Sequence, residues 1–444
     1  MKMLDTSILT LGKATIPSPL LHKTGASEER FISDDEQILI DGMYSDNLVN
    51  IIKEGKKPPT FEIAGPRSKI YFDPSKLRCA LTTCGGLCPG LNDIIRSTVF
   101  SLHFGYGVRN IYGIRYGLQG FIPQYKHSVM DLTPSVVSHI LEEGGTILGS
   151  SRGPQDVEEI VNCLERMNIG ALFMIGGDGT LMAALKVADE VLKRGLRISV
   201  IGIPKTIDND IHLVARSFGF DTAVDVATRA IIGAHNEALA YPNGIGLIKL
   251  MGRHSGFIAA TAALAQQDVN FVLIPEVEFD LEGPNGLFAN LEKRLKERSH
   301  SVIVVAEGAG QNLMGGESEA RDESGNVKLK DIGTFLKGKI TQYFTAKNME
   351  VNLKYIDPSY MIRSLPANAN DRVFCNFLGR DAVHAAMAGK TKLLIGHWNN
   401  HFVHVPMNVS AGKRKQLHSS GKLWLSVLQA TGQGSLKNDS VKVC

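Results

Sequence analysis

Short β-branched runs that stop at glycine or proline, each followed by a helical stripe, recur along most of this 444-residue chain and leave few possible folds. Cys79-Ala80-Leu81-Thr82-Thr83 stops at Gly85-Gly86, and a stripe of Leu91, Ile94, Ile95, Val99 and Leu102 follows Pro89-Gly90. Ala171 to Ile175 ends at Gly176-Gly177 and leads into Leu181, Leu185, Ala188 and Leu192. Ile198 to Ile203 ends at Pro204. Further on, strands are expected at Gly246 to Met251, Val269 to Ile274 and Val302 to Ala306, with helices at Ser255 to Ala265 and Leu287 to Arg298.

Continuous apolar strands alternating with helices imply parallel strands covered on both faces. The expected fold class is α/β, with two doubly wound Rossmann-like domains, mostly parallel sheets and an N-terminal extension. Residues 1–76, with their Pro, Gly and acidic runs and little periodicity, read as that extension. The first domain is expected over 77–220 with about 376–425, and the second over 221–375 with the C-terminal tail. Gly315 to Asn326, polar and Gly-rich, reads as a surface insertion.

Composition bounds the function. Lys and Arg total 48 against 45 acids, a formal net charge of +3, so nothing argues for a nucleic-acid partner. No run reaches about 18 apolar residues, and Met1 to Leu20 carries two prolines in place of an unbroken apolar segment, so neither a membrane span nor a signal peptide is expected. The six cysteines lack framework spacing and read as reduced thiols of a cytoplasmic protein.

The unusual residues cluster where strands end, which is where ligands bind in such sheets. Cys84-Gly85-Gly86-Leu87-Cys88-Pro89-Gly90-Leu91-Asn92 lets backbone approach a ligand and opens a helix whose free N–H groups suit phosphate, although a tight turn also needs glycine. Gly144 to Gly153 holds Arg152 after a strand-like run, suited to stabilising charge on a phosphoryl group in flight. Ile175-Gly176-Gly177-Asp178-Gly179-Thr180 surrounds one carboxylate with glycines; Asp178 suits a Mg²⁺ bridging phosphates, and Gly179 leaves room.

Pro204-Lys205-Thr206-Ile207-Asp208-Asn209-Asp210 places two carboxylates two residues apart at a strand end. Phosphoryl transfer to an alcohol needs a group that takes the hydroxyl proton, and Asp208 is the candidate base. Thr206 suits a hydrogen bond to the reacting oxygens; Asp210 either tunes Asp208 or sits near the metal. In Met251-Gly252-Arg253-His254-Ser255-Gly256, Arg253 suits a phosphate. Glu307 ends a strand, where an acid accepts from sugar hydroxyls, and Tyr360 with Arg363 suits a phosphate clamp.

In this order the strings CGGLCPGLN, GGTILGSSRG, IGGDGT, GIPKTIDNDI, SFGFDTA, KLMGRHSGFIA, AEGAGQ and KYIDPSYMIR resemble the 6-phosphofructokinase family over residues 77 to 430, most closely its longer ATP-dependent branch of plants and trypanosomatids. The resemblance implies Mg-ATP-dependent phosphorylation of fructose 6-phosphate at its 1-hydroxyl, with the cleft between the two domains. ATP would meet Gly86, Arg152, Gly153, Gly177, Asp178, Gly179 and Thr180, with Asp178 on Mg²⁺. Fructose 6-phosphate would meet Thr206, Ile207, Asp208, Met251, Gly252, Arg253, Glu307, Tyr360, Met361, Ile362 and Arg363. Asp208, Arg152 and Thr206 would carry the chemistry.

A second branch of the family uses pyrophosphate and carries Asp at the Gly179 position and Lys at the Lys205 position, so the two donor markers disagree here. A carboxylate at 179 would repel the α-phosphate of a nucleotide, whereas Lys205 does not exclude one, so ATP is the expected donor. The short bacterial type donates an Arg across a subunit interface to the sugar phosphate where this chain has Gly244, so either the 6-phosphate has fewer cationic partners or another residue substitutes; residues 1–76 and the Gly315 to Asn326 insertion also differ from that type, so its effector sites do not carry over. A homodimer or homotetramer is expected.

Overall fold

The computed structural model describes residues 4–23, 31–315, 320–321 and 327–438. The expected insertion at Gly315 to Asn326 lies almost wholly outside the described residues. The chain divides into two compact units, with crossings at 206/207, 210/211, 219/220, 363/364 and 414/415.

After short elements between Leu9 and Lys23, the main sheet of the first unit takes β1 (Gln37–Leu39), β2 (Thr60–Ile63) and β3 (Arg78–Thr83), followed by α1 (Leu91–Phe100), β4 (Asn110–Ile114) and β5 (Val129–Asp131). It continues through α2 (Val157–Arg166), β6 (Ala171–Gly176), α3 (Asp178–Lys193) and β7 (Ser199–Pro204). The second unit holds α4 (Phe220–Leu239), β8 (Gly244–Leu250), α5 (Phe257–Ala265), β9 (Phe271–Leu273), α6 (Leu287–Arg298), β10 (His300–Ala306), α7 (Ile332–Ala346), β11 (Asn352–Ile356) and most of α8 (Ser359–Ser364). The chain then returns to the first unit for α9 (Ala369–Met387), β12 (Leu393–Trp398) and β13 (His401–Pro406), and ends with α10 (Lys422–Thr431) in the second.

In the first unit nine strands pair in the order β1-β2-β13-β12-β7-β6-β3-β4-β5. The five from β12 to β4 run parallel, and antiparallel strands finish both edges. Every residue of β6 and β7 is buried, as expected for central strands covered on both faces. Leu172, Met174, Val187, Val191 and Val200 form a core between this sheet and α2–α3. The second unit has four parallel strands, β9-β10-β8-β11, with Leu247, Leu273, Leu291, Val305, Leu336 and Phe344 in its core.

The N-terminal segment packs into the first unit. β1 and β2 extend the main sheet through β13, and Phe61 is fully buried among Leu181, Leu394 and Val405. Burying such a side chain contributes about 1.5–3 kcal/mol. Beside it Glu62 binds Lys390 Nζ at 2.6 Å, Arg67 Nη2 at 2.6 Å and His404 Nδ1 at 2.9 Å. At three and four residues these strands are too short to show an alternating pattern, which hid them.

The unit borders also differ from the expected ones. α9 packs on α1 in the first unit, where Ser97 Oγ donates to Asn376 O at 2.7 Å, whereas α10 belongs to the second. Both helices are apolar on one face, and that pattern does not say which sheet receives them. Thr146-Ile147-Leu148 forms no strand; Asn92 holds it as a loop, accepting from Ile147 N–H at 3.0 Å. α5 begins at Phe257, two residues later than expected, after the bent Arg253–Gly256 turn.

Candidate active site

In the first unit the site grows from the ends of β3, β6 and β7. Gly90 opens α1 at φ +102, and a Cβ there would lie 2.6 Å from Cys375 Sγ, so this glycine serves the turn and its packing. Asn92 also donates to Glu143 O at 3.1 Å. Thr83 Oγ1 donates to Gly149 O at 2.7 Å, Ser150 Oγ donates to Gly85 O at 2.6 Å, and Gly85 N–H donates to Ser151 O at 3.1 Å. These bonds fasten the 144–153 loop against the Gly85-Gly86 turn. Arg152 and Gly153, the latter at φ +87, follow directly. The Arg152 guanidinium is half-buried, with no hydrogen-bond or ion-pair partner among the described residues.

The three glycines before and within α3 separate by cause. A Cβ on Gly176 would strike the buried Thr180 side chain at 2.2 Å, and one on Gly177 would meet Lys205 O at 3.4 Å. A Cβ on Gly179 would meet nothing within 4 Å, and Gly179 is exposed in the first helical turn. Glycine in a helix costs about 1 kcal/mol against alanine, and here nothing inside the protein requires it. Thr180 itself faces inward, and its N–H donates to Gly177 O at 2.9 Å, so it serves the turn that opens α3.

Asp178, the first residue of α3, accepts from Gly412 N–H at 2.7 Å through Oδ1. Among the described residues no group of three or more His, Cys, Asp or Glu side chains could hold a metal. A single carboxylate with an oxygen to spare fits Mg²⁺, which binds through one or two carboxylates plus phosphates and water. Gly412 is 234 residues from Asp178 in sequence and carries no signal that would have revealed it. Lys205 is buried, and its ammonium donates to Gly86 O at 2.6 Å. The lysine thus ties two strand-end loops together, a role that does not depend on the donor. Thr206 O accepts from Ser217 Oγ at 2.7 Å.

In the second unit the ends of β8 and β10 meet. Glu307 N–H donates to Leu250 O at 2.9 Å and Gly308 N–H to Gly252 O at 3.1 Å. Gly252 sits at φ +133, and a Cβ on Gly308 would lie 2.0 Å from Arg253 O, so only glycines allow this approach. It gathers Asp208, Asp210, Arg253 and Glu307. Ser255 Oγ donates to Asp208 O at 3.1 Å, and Arg253 donates to Val327 O at 3.0 Å. Burial and the negative charges of Asp210 and Glu307 push the Asp208 carboxyl well above its ordinary value; a backbone bond from Arg253 and its guanidinium oppose them. Burial also raises Glu307, against the charges of Arg253, Lys249 and Arg363. Ile207 packs inward beside Asp208, and Met251 is half-buried at the strand end.

The Tyr360–Arg363 span is divided. Tyr360 and Met361 are exposed, the Arg363 guanidinium lies 4.7 Å from the Tyr360 ring centroid, and Ile362 is fully buried. Ile362 therefore serves packing, not contact with a ligand through its side chain. Gly244 cannot take the place of an arginine: a Cβ there would lie 2.0 Å from Ala238 O. Among the described residues no helix is long and apolar enough to cross a membrane.

Together these features define a two-unit α/β protein with a glycine-lined helix N-terminus in one unit and a carboxylate–arginine cluster in the other, the equipment of a phosphoryl-transfer enzyme. The phosphofructokinase family model, "Phosphofructokinase", matches residues 78–386, and the chain belongs to that family. It is 50% identical over 443 residues to the ATP-dependent 6-phosphofructokinase of Borreliella burgdorferi, covering 98% of each chain. It is 43% identical over 415 residues to that of Trypanosoma cruzi, covering 92% of this chain and 84% of the relative. The crystal structure of a pyrophosphate-dependent phosphofructokinase from Marinobacter aquaeolei shares the fold at a TM-score of 0.65 and 20% identity, covering 81% of this chain and 92% of that one.

Proposed function

We propose that the chain phosphorylates fructose 6-phosphate at its 1-hydroxyl, with ATP as donor and Asp208 as base. The observation that carries the reading is the Asp208 carboxyl, whose proton affinity is raised by burial and by Asp210 and Glu307. A general base works best with a pKa near the working pH. The 1-hydroxyl oxygen attacks the γ-phosphorus, the bond from that phosphorus to the β–γ bridging oxygen breaks, the hydroxyl proton passes to Asp208, and ADP leaves.

The first unit binds the donor at the Gly85-Gly86 turn, at Gly177–Thr180 and through Arg152, whose guanidinium has no hydrogen-bond or ion-pair partner among the described residues. Mg²⁺ held through Asp178 would neutralise phosphate charge. Fructose 6-phosphate is bound by Thr206 and Ile207, by the Met251-Gly252 turn, and by Arg253, Glu307, Tyr360, Met361 and Arg363. Positioning and electrostatic stabilisation are enough for this reaction, with no covalent enzyme intermediate.

The open space at Gly179 supports a nucleotide over pyrophosphate, and Lys205, engaged with Gly86, supports neither donor over the other. The free cysteines Cys79, Cys84, Cys88, Cys163 and Cys375 are in keeping with a reducing, cytoplasmic setting. A homodimer or homotetramer accords with the commonness of symmetric assemblies. Steady-state kinetics with ATP and with pyrophosphate on fructose 6-phosphate test the reading. Turnover with ATP and little with pyrophosphate is expected; the reverse preference would overturn it.

A further inference from the structure

The loop that caps Asp178 carries two cations with no hydrogen-bond or ion-pair partner among the described residues. Gly412, at φ +80, donates its N–H to Asp178 Oδ1 at 2.7 Å, and a Cβ on it would approach Met182 Sδ, one turn further along α3, to 3.1 Å. Gly412 therefore lies against the first turn of the donor-binding helix. The residues around it are held on both sides. Ser410 Oγ donates to His212 O at 2.6 Å, Lys413 N–H donates to Ser410 O at 3.2 Å, and Arg414 pairs with Ile211 as an antiparallel bridge. The next two side chains, Lys413 and Arg414, are exposed and make no hydrogen bond or ion pair with any described residue.

We infer that Lys413 and Arg414 are further donor-binding residues, contacting the nucleotide's polyphosphate beside Asp178. The inference rests on the proposed ATP site and extends it to a segment outside the strand-end motifs. A triphosphate carries several negative charges, and cations on an ordered loop bind it with less entropy loss than cations on a free one. Lys and Arg stems are long enough to reach from residues 413 and 414 past the Gly412–Asp178 bond. In solution an unpaired surface cation is ordinarily solvated; here two successive ones follow a residue bonded to the proposed metal ligand, in a loop whose backbone is pinned.

The test compares wild type, Lys413→Met, Arg414→Met and the double variant by calorimetric titration with Mg-ATP, alongside the KM values for ATP and fructose 6-phosphate and the thermal midpoint. Each single change is expected to weaken Mg-ATP binding about three- to tenfold, and the pair more, with the sugar-phosphate KM and the midpoint unchanged. Lys413→Arg should retain affinity. A double variant that binds Mg-ATP as wild type does would overturn the inference, as would equal losses for both substrates with a lowered midpoint, which would mark a structural role. A wild type that binds Mg-ATP but forms no product refutes the proposed reaction while the binding series still judges these two residues; a wild type that does not bind Mg-ATP refutes both.

Discussion

The ammonium of Lys205, at the end of β7, donates to the carbonyl oxygen of Gly86, after β3, at 2.6 Å. A charged hydrogen bond thus joins two strand-end loops. Lys205→Met should lower stability by about 1–3 kcal/mol, since a part-buried carbonyl loses its charged donor, and should raise the KM for ATP. Urea denaturation and initial-rate kinetics check the two effects.

Asp208→Asn removes the base while keeping the side chain's size. The expected kcat falls by about 10²–10⁴-fold, with the KM for fructose 6-phosphate changed much less. A near-native kcat would remove Asp208 from the base role.

The pH dependence has a definite sign. Asp208 must be unprotonated to take the hydroxyl proton, and its pKa is raised by burial, Asp210 and Glu307 above the ordinary 3.8. The acid limb of kcat/KM should therefore lie well above pH 4. Glu307→Gln removes one of the two like charges and should move that limb to lower pH by about half a unit to one unit, whatever it does to KM. Rate profiles of the two proteins measure the shift.

Gly179→Asp separates folding from donor use. The new Cβ meets no atom within 4 Å, and an acid in the first turn of α3 suits the helix dipole. The thermal midpoint should hold or rise, while the KM for ATP rises about tenfold or more through repulsion of the nucleotide's phosphates. A variant that keeps the native KM would show that Gly179 does not set donor choice.

Glu62 couples the N-terminal strands to acid stability. Burial works against its ionised form, but the His404 hydrogen bond and Lys390 outweigh it and hold the carboxyl down at about 2, against an ordinary 4.5. Burial keeps His404 below its usual range, so near neutrality it is uncharged and donates Nδ1–H. A depressed carboxyl pKa contributes stability above the unfolded value, and that contribution fades as pH falls from about 4.5 towards 2. Glu62→Gln should cost about 3 kcal/mol at pH 7 and flatten the loss of stability below pH 4.5, seen in denaturant midpoints across pH.

The alternation of apolar runs and glycines was enough to place β3, β6, β7, β8, β9 and β10 within two residues of where they lie, because strands buried on both faces must be continuously apolar, whereas β4 and β12 of the same parallel run went unread. The same strings placed Asp178, Asp208, Arg253 and Glu307 at strand ends. Periodicity could not recover β1 and β2: β2 pairs with β13 across about 340 residues, β1 pairs only with β2, and both depend on which sheet edge is open. Nor could it show that Ile362 turns inward between exposed Met361 and half-buried Arg363, since one helical turn decides which neighbour is buried.

Local chemistry, then, lay in the order of residues: which turns need glycine, which ends carry acid, which runs make strands. Tertiary structure alone decided why each glycine is there, since Gly176 is filled by Thr180 while Gly179 faces open space. It also decided the proton affinity of Asp208 and the capping of Asp178 by Gly412. Those properties come from burial and from contacts between residues far apart in sequence, and no local pattern encodes them.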